Sequence, residues 1–237
     1  MAVTYKDMLN RVLRTLGEEE VPAVATSLTE DYHKLVGNFL NQIKEEIEDA
    51  HNWRSLRQTL TASVAADALS GTITNSNERS RLVRILDAQR GQTIPLVFDT
   101  TDADNPTPLH ELDLAELLWR DQLDPTTRAS DDVSWFAIDD SSGDELAVYV
   151  WPRPNSIRTI TITLVVPQAR LTDTDVDTSI IIPSRALEVG TLWYALEERG
   201  EELGINALFS EERFRKALDD AISRDAAEQG GLEVVPV

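Results

Sequence analysis

The chain has 237 residues, 41% hydrophobic and 27% charged, which is enough apolar material for a substantial core. Its 42 acidic residues outnumber 22 basic ones, and the net charge of −20 is spread over residues 1–52, 53–181 and 182–237 as −5, −9 and −6. Such a surface repels phosphate, so it disfavours tight wrapping of nucleic acid but lets nucleic acid pass without binding. Solubility alone, or a salt-tolerant source, explains the charge about as well as any specific use of it.

The absence of cysteine excludes disulfides and thiolate chemistry. No segment resembles a signal peptide or membrane span, so we expect assembly in a reducing cytoplasm without membrane contact.

Two amphipathic helices are predicted before residue 53. Thr4 with Asp7 predicts a capping box, and an apolar stripe follows until Gly17. Ser27 with Glu30 predicts a second capping box, whose apolar stripe extends to about His51. The polar side of this second helix carries four charged residues, Lys44, Glu45, Glu48 and Asp49.

The pattern changes to a period of two after Trp53, which indicates strands. Residues 81–99 predict two strands that turn at Arg90-Gly91, and residues 99–111 predict an exposed acidic loop. A short helix is predicted over residues 112–121 and a strand over 133–139.

Residues 145–167, ELAVYVWPRPNSIRTITITLVVP, predict a β-hairpin. Ile160, Ile162 and Leu164 alternate with threonines, so one face of the second strand is expected in a core and the other at solvent or a neighbouring subunit. Pro152 and Pro154 cannot donate to a ladder and are expected to open the turn.

The C-terminal part returns to helices. Pro183 suits the first turn of a buried helix over residues 184–204, and Ser210 predicts the cap of a last helix. Gly230-Gly231 is expected to end that helix, and an apolar tail follows. The fold class is therefore α+β: a helical bundle from residues 1–52 and 182–237, with an antiparallel β domain inserted over 53–181.

Signals for catalysis are weak. The histidines His33, His51 and His110 show no ligand spacing and are interpreted as surface or boundary residues, and no nucleophile elbow or phosphate-binding loop occurs.

Asp173, Asp175 and Asp177 imitate the start of an EF-hand loop, yet the glycine and the final glutamate are missing, so a solvated loop is favoured over a metal site. An acidic loop with Asp99, Asp102 and Asp104 has the same interpretation. The densest basic stretch, Arg79, Arg81, Arg84 and Arg90, is expected to pair with carboxylates within or between subunits.

Several motifs in the second half of the chain resemble one known family. Trp151-Pro-Arg-Pro154 follows a strand, Val166-Pro167 and Leu171 come next, the aspartates 173–177 form an acidic turn, and Pro183 opens a helix that reaches Tyr194. This order is similar to that of phage head-to-tail adaptors, the family of tail-tubular-protein-A-like proteins. The AHNWRSLRQTLT segment after the second helix also resembles the family.

The resemblance implies a non-enzymatic virion protein that assembles in the host cytoplasm and acts at the head–tail junction. Such adaptors form a closed ring of about a dozen copies by heterologous contacts. The ring joins the capsid portal to the tail tube or nozzle, its body is helical, and double-stranded DNA passes through it without specific binding. No cofactor is implied. The candidate contact residues for portal or tail are Phe214, Leu218, Leu232, Val234, Val235, Val237, Asp102 and Asp104.

Two other functions fit the sequence. A ligand- or carbohydrate-binding β module with helical flanks would expose Trp135, Tyr149 and Trp151 as an aromatic platform. A metal-dependent hydrolase would use the three aspartates at 173, 175 and 177.

Overall fold

The computed structural model describes residues 3–87, 92–123, 132–139, 145–200 and 205–228. Within these ranges the helices are α1 (Tyr5–Leu16), α2 (Asp31–Ala50), α3 (Leu114–Leu123), α4 (Ser184–Glu198) and α5 (Ile205–Glu228). The strands are β1 (Val3–Thr4), β2 (Arg57–Val64), β3 (Ser70–Thr72), β4 (Arg81–Leu82), β5 (Arg84–Asp87), β6 (Gln92–Pro95), β7 (Val97–Asp99), β8 (Thr107–Pro108), β9 (His110–Glu111), β10 (Trp135–Asp139), β11 (Ala147–Trp151), β12 (Arg158–Val165) and β13 (Ser179–Ile180). The predicted α+β class, with helices from both ends of the chain and mostly antiparallel strands between them, is confirmed.

The chain divides into a helical unit, residues 3–56 and 168–228, and a β unit, residues 57–167. The segment 168–181, which the sequence analysis placed with the strands, is bonded to the N-terminal helices. The Asn41 amide donates to the Leu171 carbonyl at 2.8 Å and accepts from the Leu171 N–H at 2.9 Å. The Tyr5 N–H donates to the Thr178 carbonyl at 2.9 Å, and β1 pairs with β13.

The helical unit is a bundle in which α4 contacts α1, α2 and α5. Its core consists of apolar side chains from all four helices that are nearly or fully inaccessible to solvent: Met8, Leu9, Leu13, Val36, Leu40, Ile43, Ile47, Ala186, Leu187, Ala195, Phe214 and Ala221. Close approach of α4 depends on Gly190, because a Cβ there would lie 2.6 Å from Ile43 Cγ2. Packing of amphipathic faces, rather than helix propensity alone, thus holds the bundle together.

Of the predicted helix caps, the two on α1 are confirmed and the two on later helices are wrong. Thr4 and Asp7 form the predicted capping box, and Gly17 ends α1 with a φ of 73° in the left-handed region. The second capping box is wrong, because α2 begins at Asp31 and Glu30 makes no side-chain capping bond. The predicted Ser210 cap is also wrong, since α5 begins at Ile205 and Ser210 lies buried inside the helix.

The β unit contains two main sheets around one core. One sheet has the order β3-β11-β10-β9, and the other has β2-β12-β7-β8 with β4 added against β12. Side chains from both sheets form a single buried cluster: Ala62, Val64, Ile73, Val97, Leu109, Val133, Phe136, Leu146, Val148, Val150, Ile160, Ile162, Leu164 and Val166. This arrangement matches two sheets packed face to face.

The predicted hairpin over residues 145–167 is wrong. Strand β11 pairs with β10 and β3, whereas β12 pairs with β2, β7 and β4, so the two strands belong to different sheets. Pro152 and Pro154 end the ladder as predicted, but the chain then crosses to the other sheet instead of reversing. The predicted inward face of Ile160, Ile162 and Leu164 is confirmed.

The neighbouring predictions are partly confirmed. β5 and β6 pair antiparallel, while their predicted turn at Arg90-Gly91 lies outside the described residues. Residues 101–108 are exposed, but 99–111 is not purely a loop. It contains β8 and β9, and Leu109 and Asp99 are buried.

Candidate interaction surfaces

Two of the three aspartates that imitate a calcium loop, Asp175 and Asp177, have side chains engaged in other contacts. Asp175 accepts hydrogen bonds from the side chain and backbone N–H of Thr172, at 2.6 and 2.7 Å, and these bonds hold the pKa of Asp175 below its usual range. Asp177 forms an ion pair with Lys6 at 3.0 Å. Across the ranges that the structure describes, no group of three His, Asp or Glu side chains is placed to hold a metal ion. Burial, followed by the charges of Asp173 and Asp175, raises the pKa of the nearby Tyr5 hydroxyl.

The candidate contact residues fall into three environments. Asp102 and Asp104 lie on an exposed loop of the β unit, where Asp102 Oδ1 accepts from the Asp104 N–H at 3.1 Å. Phe214 is only 5% exposed and stacks on Trp193 with ring centroids 6.0 Å apart, so it is a core residue of the helical unit. Leu218 on the same helix is half-buried. The tail residues Leu232, Val234, Val235 and Val237 lie outside the described residues.

The aromatic platform of a carbohydrate-binding module is not formed. Trp135, Tyr149 and Trp151 are each half-buried rather than exposed. The Arg120 guanidinium from α3 lies 5.2 Å from the Trp135 ring and 5.6 Å from the Trp151 ring. These cation–π contacts cover the tryptophans with the protein's own helix.

A buried polar cluster in the helical unit was missed by the sequence analysis. Lys44 and Glu48, predicted on the polar side of α2, have fully buried side chains, and Lys44 Nζ lies 3.1 Å from Glu48 Oε1. Lys44 also donates to the Gln168 carbonyl at 2.6 Å, and Glu48 accepts from the Gln168 N–H at 3.1 Å. The pair therefore anchors the start of the 168–181 segment to α2. The i, i+4 spacing was the only sequence signal, and that spacing usually marks a solvated face.

One of the three histidines, His33, differs from the predicted surface or boundary role. His33 is 3% exposed, and its Nε2 lies 2.9 Å from the Glu19 carbonyl. His51 is half-buried, and its Nε2 lies 2.9 Å from Asp225 Oδ2 on α5. His110 is exposed on β9 beside Trp135. The contacts of His33 and His51 join distant parts of the helical unit, which fits a structural role.

An apolar surface on α3 was also missed. Trp119 and Leu123 are each 60% exposed, and Leu118 is 36% exposed. The sequence LAELLWRDQL carries apolar residues on the side of Leu117 and also on the side of Trp119 and Leu123, which is the signal that could have predicted two apolar faces. No helix in the described ranges has the length and apolar character to span a bilayer.

Comparison with known families places these features in a class. The chain matches a family of bacteriophage adaptor proteins, which are structural components of the virion. The matching family model describes the SU10 adaptor protein and covers residues 3–235, so the chain belongs to the SU10 adaptor family. The predicted resemblance to a phage head-to-tail adaptor is thereby confirmed. A comparison with curated proteins finds no match.

Proposed function

We propose that the protein forms a closed ring that joins the capsid portal to the tail and lines the channel through which the genome leaves the head. The observation that carries this proposal is the adaptor-family match over residues 3–235. The proposed ring contains about a dozen copies related by heterologous contacts that close on themselves. The proposed role is mechanical, without a catalytic step, and its place is the head–tail junction after assembly in the host cytoplasm.

The distribution of charge supports a channel role. The net charge of −20 is shared by all three parts of the chain rather than confined to one tail. DNA carries one negative charge per about 1.7 Å of helix axis, so a negatively charged lining repels it and keeps it from adhering during ejection. We infer that a share of the acids faces the lumen. A ring whose mapped acids all lie outside, around a basic lumen, contradicts this part of the proposal.

Contacts with the portal and tail are proposed for surfaces on both units. The exposed loop with Asp102 and Asp104 is a candidate in the β unit, and half-buried Leu218 is a candidate on α5. The tail residues Leu232, Val234, Val235 and Val237 supply apolar side chains for strand addition or groove binding on the portal. Phe214 is not proposed as a contact residue for the portal or tail, because its ring is buried within its own unit.

The ring is tested with the purified chain, alone and mixed with purified portal from the same phage. Mass photometry gives the copy number, and negative-stain micrographs show the shape. The expected result is a closed ring with a central hole, either free or attached to the portal. A protein that stays monomeric at every concentration, with and without portal, overturns the proposal.

The tail contact is tested by deleting residues 230–237. We expect weaker attachment to the portal and an unchanged melting temperature, since the deletion leaves both described cores intact. A matched control replaces the four apolar tail residues by serine and keeps the length. Loss of attachment in both variants assigns the contact to the apolar side chains, and normal attachment in both dismisses it.

A further inference from the structure

Helix α3 presents an outer face that is apolar and electrically neutral. Ala115, Leu118, Trp119 and Leu123 are exposed together with the uncharged Gln122. The two acids within the helix are paired: Glu116 lies 2.6 Å from Arg120, and Asp121 lies 2.6 Å from Arg153. On a chain with a net charge of −20, a neutral apolar face is where two copies can approach with the least repulsion.

The orientation of α3 is fixed from its inner side. Leu117 is fully buried, and the buried Asp121 carboxylate accepts two hydrogen bonds from Arg153, at 2.7 and 2.6 Å. These bonds raise the pKa of the Arg153 guanidinium above its usual value. Rotating the helix to bury Trp119 would break this bidentate pair. The exposure of Trp119 is therefore imposed by the packing of the β unit itself.

The same unit carries a groove of about 400 Å³ at the N-terminal end of α3. Leu82, Leu112 and Ile138 supply apolar lining, and charged residues line the rest, among them the Arg84–Glu111 ion pair at 2.5 Å. The groove reaches Leu114, the first residue of α3. With a rise of 1.5 Å per residue, Trp119 and Leu123 lie about 7 and about 14 Å further along the helix axis. One copy thus carries a protruding apolar face and, beside it, a groove whose lining is partly apolar and partly charged.

We propose that the exposed face of α3 in one copy docks into this groove of the next copy, with Trp119 as the anchor. A protrusion and a groove at different places on one chain make a heterologous contact, which repeats from copy to copy. Large aromatic side chains that enter a pocket at the centre of a contact carry much of the binding energy. This inference rests on the proposed ring and names the surfaces that build it.

The first test compares assembly of two variants of the full chain. Trp119→Ala is expected to raise the concentration for half-assembly by at least about tenfold, as anchor truncations do, with an unchanged melting temperature. The matched control is Ile157→Ala, because Ile157 is 65% exposed in the same unit but lies outside α3. The control is expected to assemble like the wild type.

The second test uses the cysteine-free background. Leu123→Cys combined with Leu112→Cys places one thiol on the outer face and one in the groove. The ten residues of α3 span about 15 Å, so the two thiols cannot bridge within one chain. Under mild oxidation we expect a ladder of covalent multimers, well above the yield from the control pair Ile157→Cys with Leu112→Cys.

The outcomes separate this inference from the proposed function. If the wild type forms rings while Trp119→Ala assembles normally and the cysteine ladder does not exceed its control, the α3 contact is wrong and the ring proposal stands. If the wild type never assembles, with or without portal, the ring proposal fails and this contact fails with it. If Trp119→Ala destabilises the fold, the cysteine ladder alone decides.

Discussion

Removing the ammonium group of Lys44 should strongly destabilise the helical unit. The change Lys44→Met keeps the aliphatic stem but removes the ammonium group that pairs with the fully buried Glu48 carboxylate. It also removes the 2.6 Å hydrogen bond to the Gln168 carbonyl. Breaking a buried ion pair from one side costs about 3–5 kcal/mol, because a charge remains in a low-dielectric site. That is a large fraction of the stability of a typical domain, about 5–15 kcal/mol.

The double variant Lys44→Met/Glu48→Leu should lie closer to the wild type than either single variant. It removes both charges of the pair, and the remaining cost includes that of the Gln168 N–H and carbonyl, about 1–3 kcal/mol for a buried group that loses its partner. The matched surface control is Arg14→Met, which breaks the Arg14–Glu20 pair, whose side chains are 68% and 42% exposed. Exposed pairs of this kind contribute little.

Urea unfolding followed by circular dichroism at 222 nm measures these differences, since most helical residues belong to the helical unit. The explanation fails if Lys44→Met unfolds at the same urea concentration as the wild type. It also fails if the double variant loses the sum of the two single losses, since the two residues would then act independently.

Two further predictions concern the helical unit. Gly190→Ala should lower the free energy of unfolding by about 1–3 kcal/mol, because the new methyl group meets Ile43 Cγ2 at 2.6 Å and Phe214 Cδ2 at 2.9 Å. A thermal midpoint equal to that of the wild type would contradict the packing described for α4. Thr4→Ala should cost about 1 kcal/mol through loss of the α1 cap. The Thr4 hydrogen bonds hold the pKa of Asp7 below its usual value, so this stabilisation is present above about pH 4 and is lost as the pH falls through the lowered pKa. Thr4→Ala should therefore make the free energy of unfolding less dependent on pH in that range. An unchanged pH profile would show that the α1 cap does not cause this dependence.

Features decided by neighbouring residues could be predicted from the sequence. The Thr4–Asp7 box and the Gly17 cap depend on contacts within a few positions, and both occur as predicted. The helices at the two chain ends and the alternating face of β12 were also predictable, because periodicity reports which side chains are buried.

Features decided by distant partners could not be predicted. Periodicity shows that Val148 and Ile160 are buried, but not that their strands lie in different sheets around one core. The i, i+4 pair Lys44–Glu48 looks like a solvated face until the Gln168 backbone covers it. Trp119 is a large apolar residue that is exposed, because the Asp121–Arg153 pair fixes the orientation of α3. The candidate contact surface on α3 therefore became visible only in three dimensions.

The most direct measurement is a cryo-electron microscopy reconstruction of the head–tail junction in the intact virion. The account predicts a closed ring directly beneath the portal, each copy fitted by the helical and β units described above, with acidic side chains along the lumen. A reconstruction in which another protein forms that ring, or in which this chain is fitted as isolated copies away from the DNA channel, would contradict it.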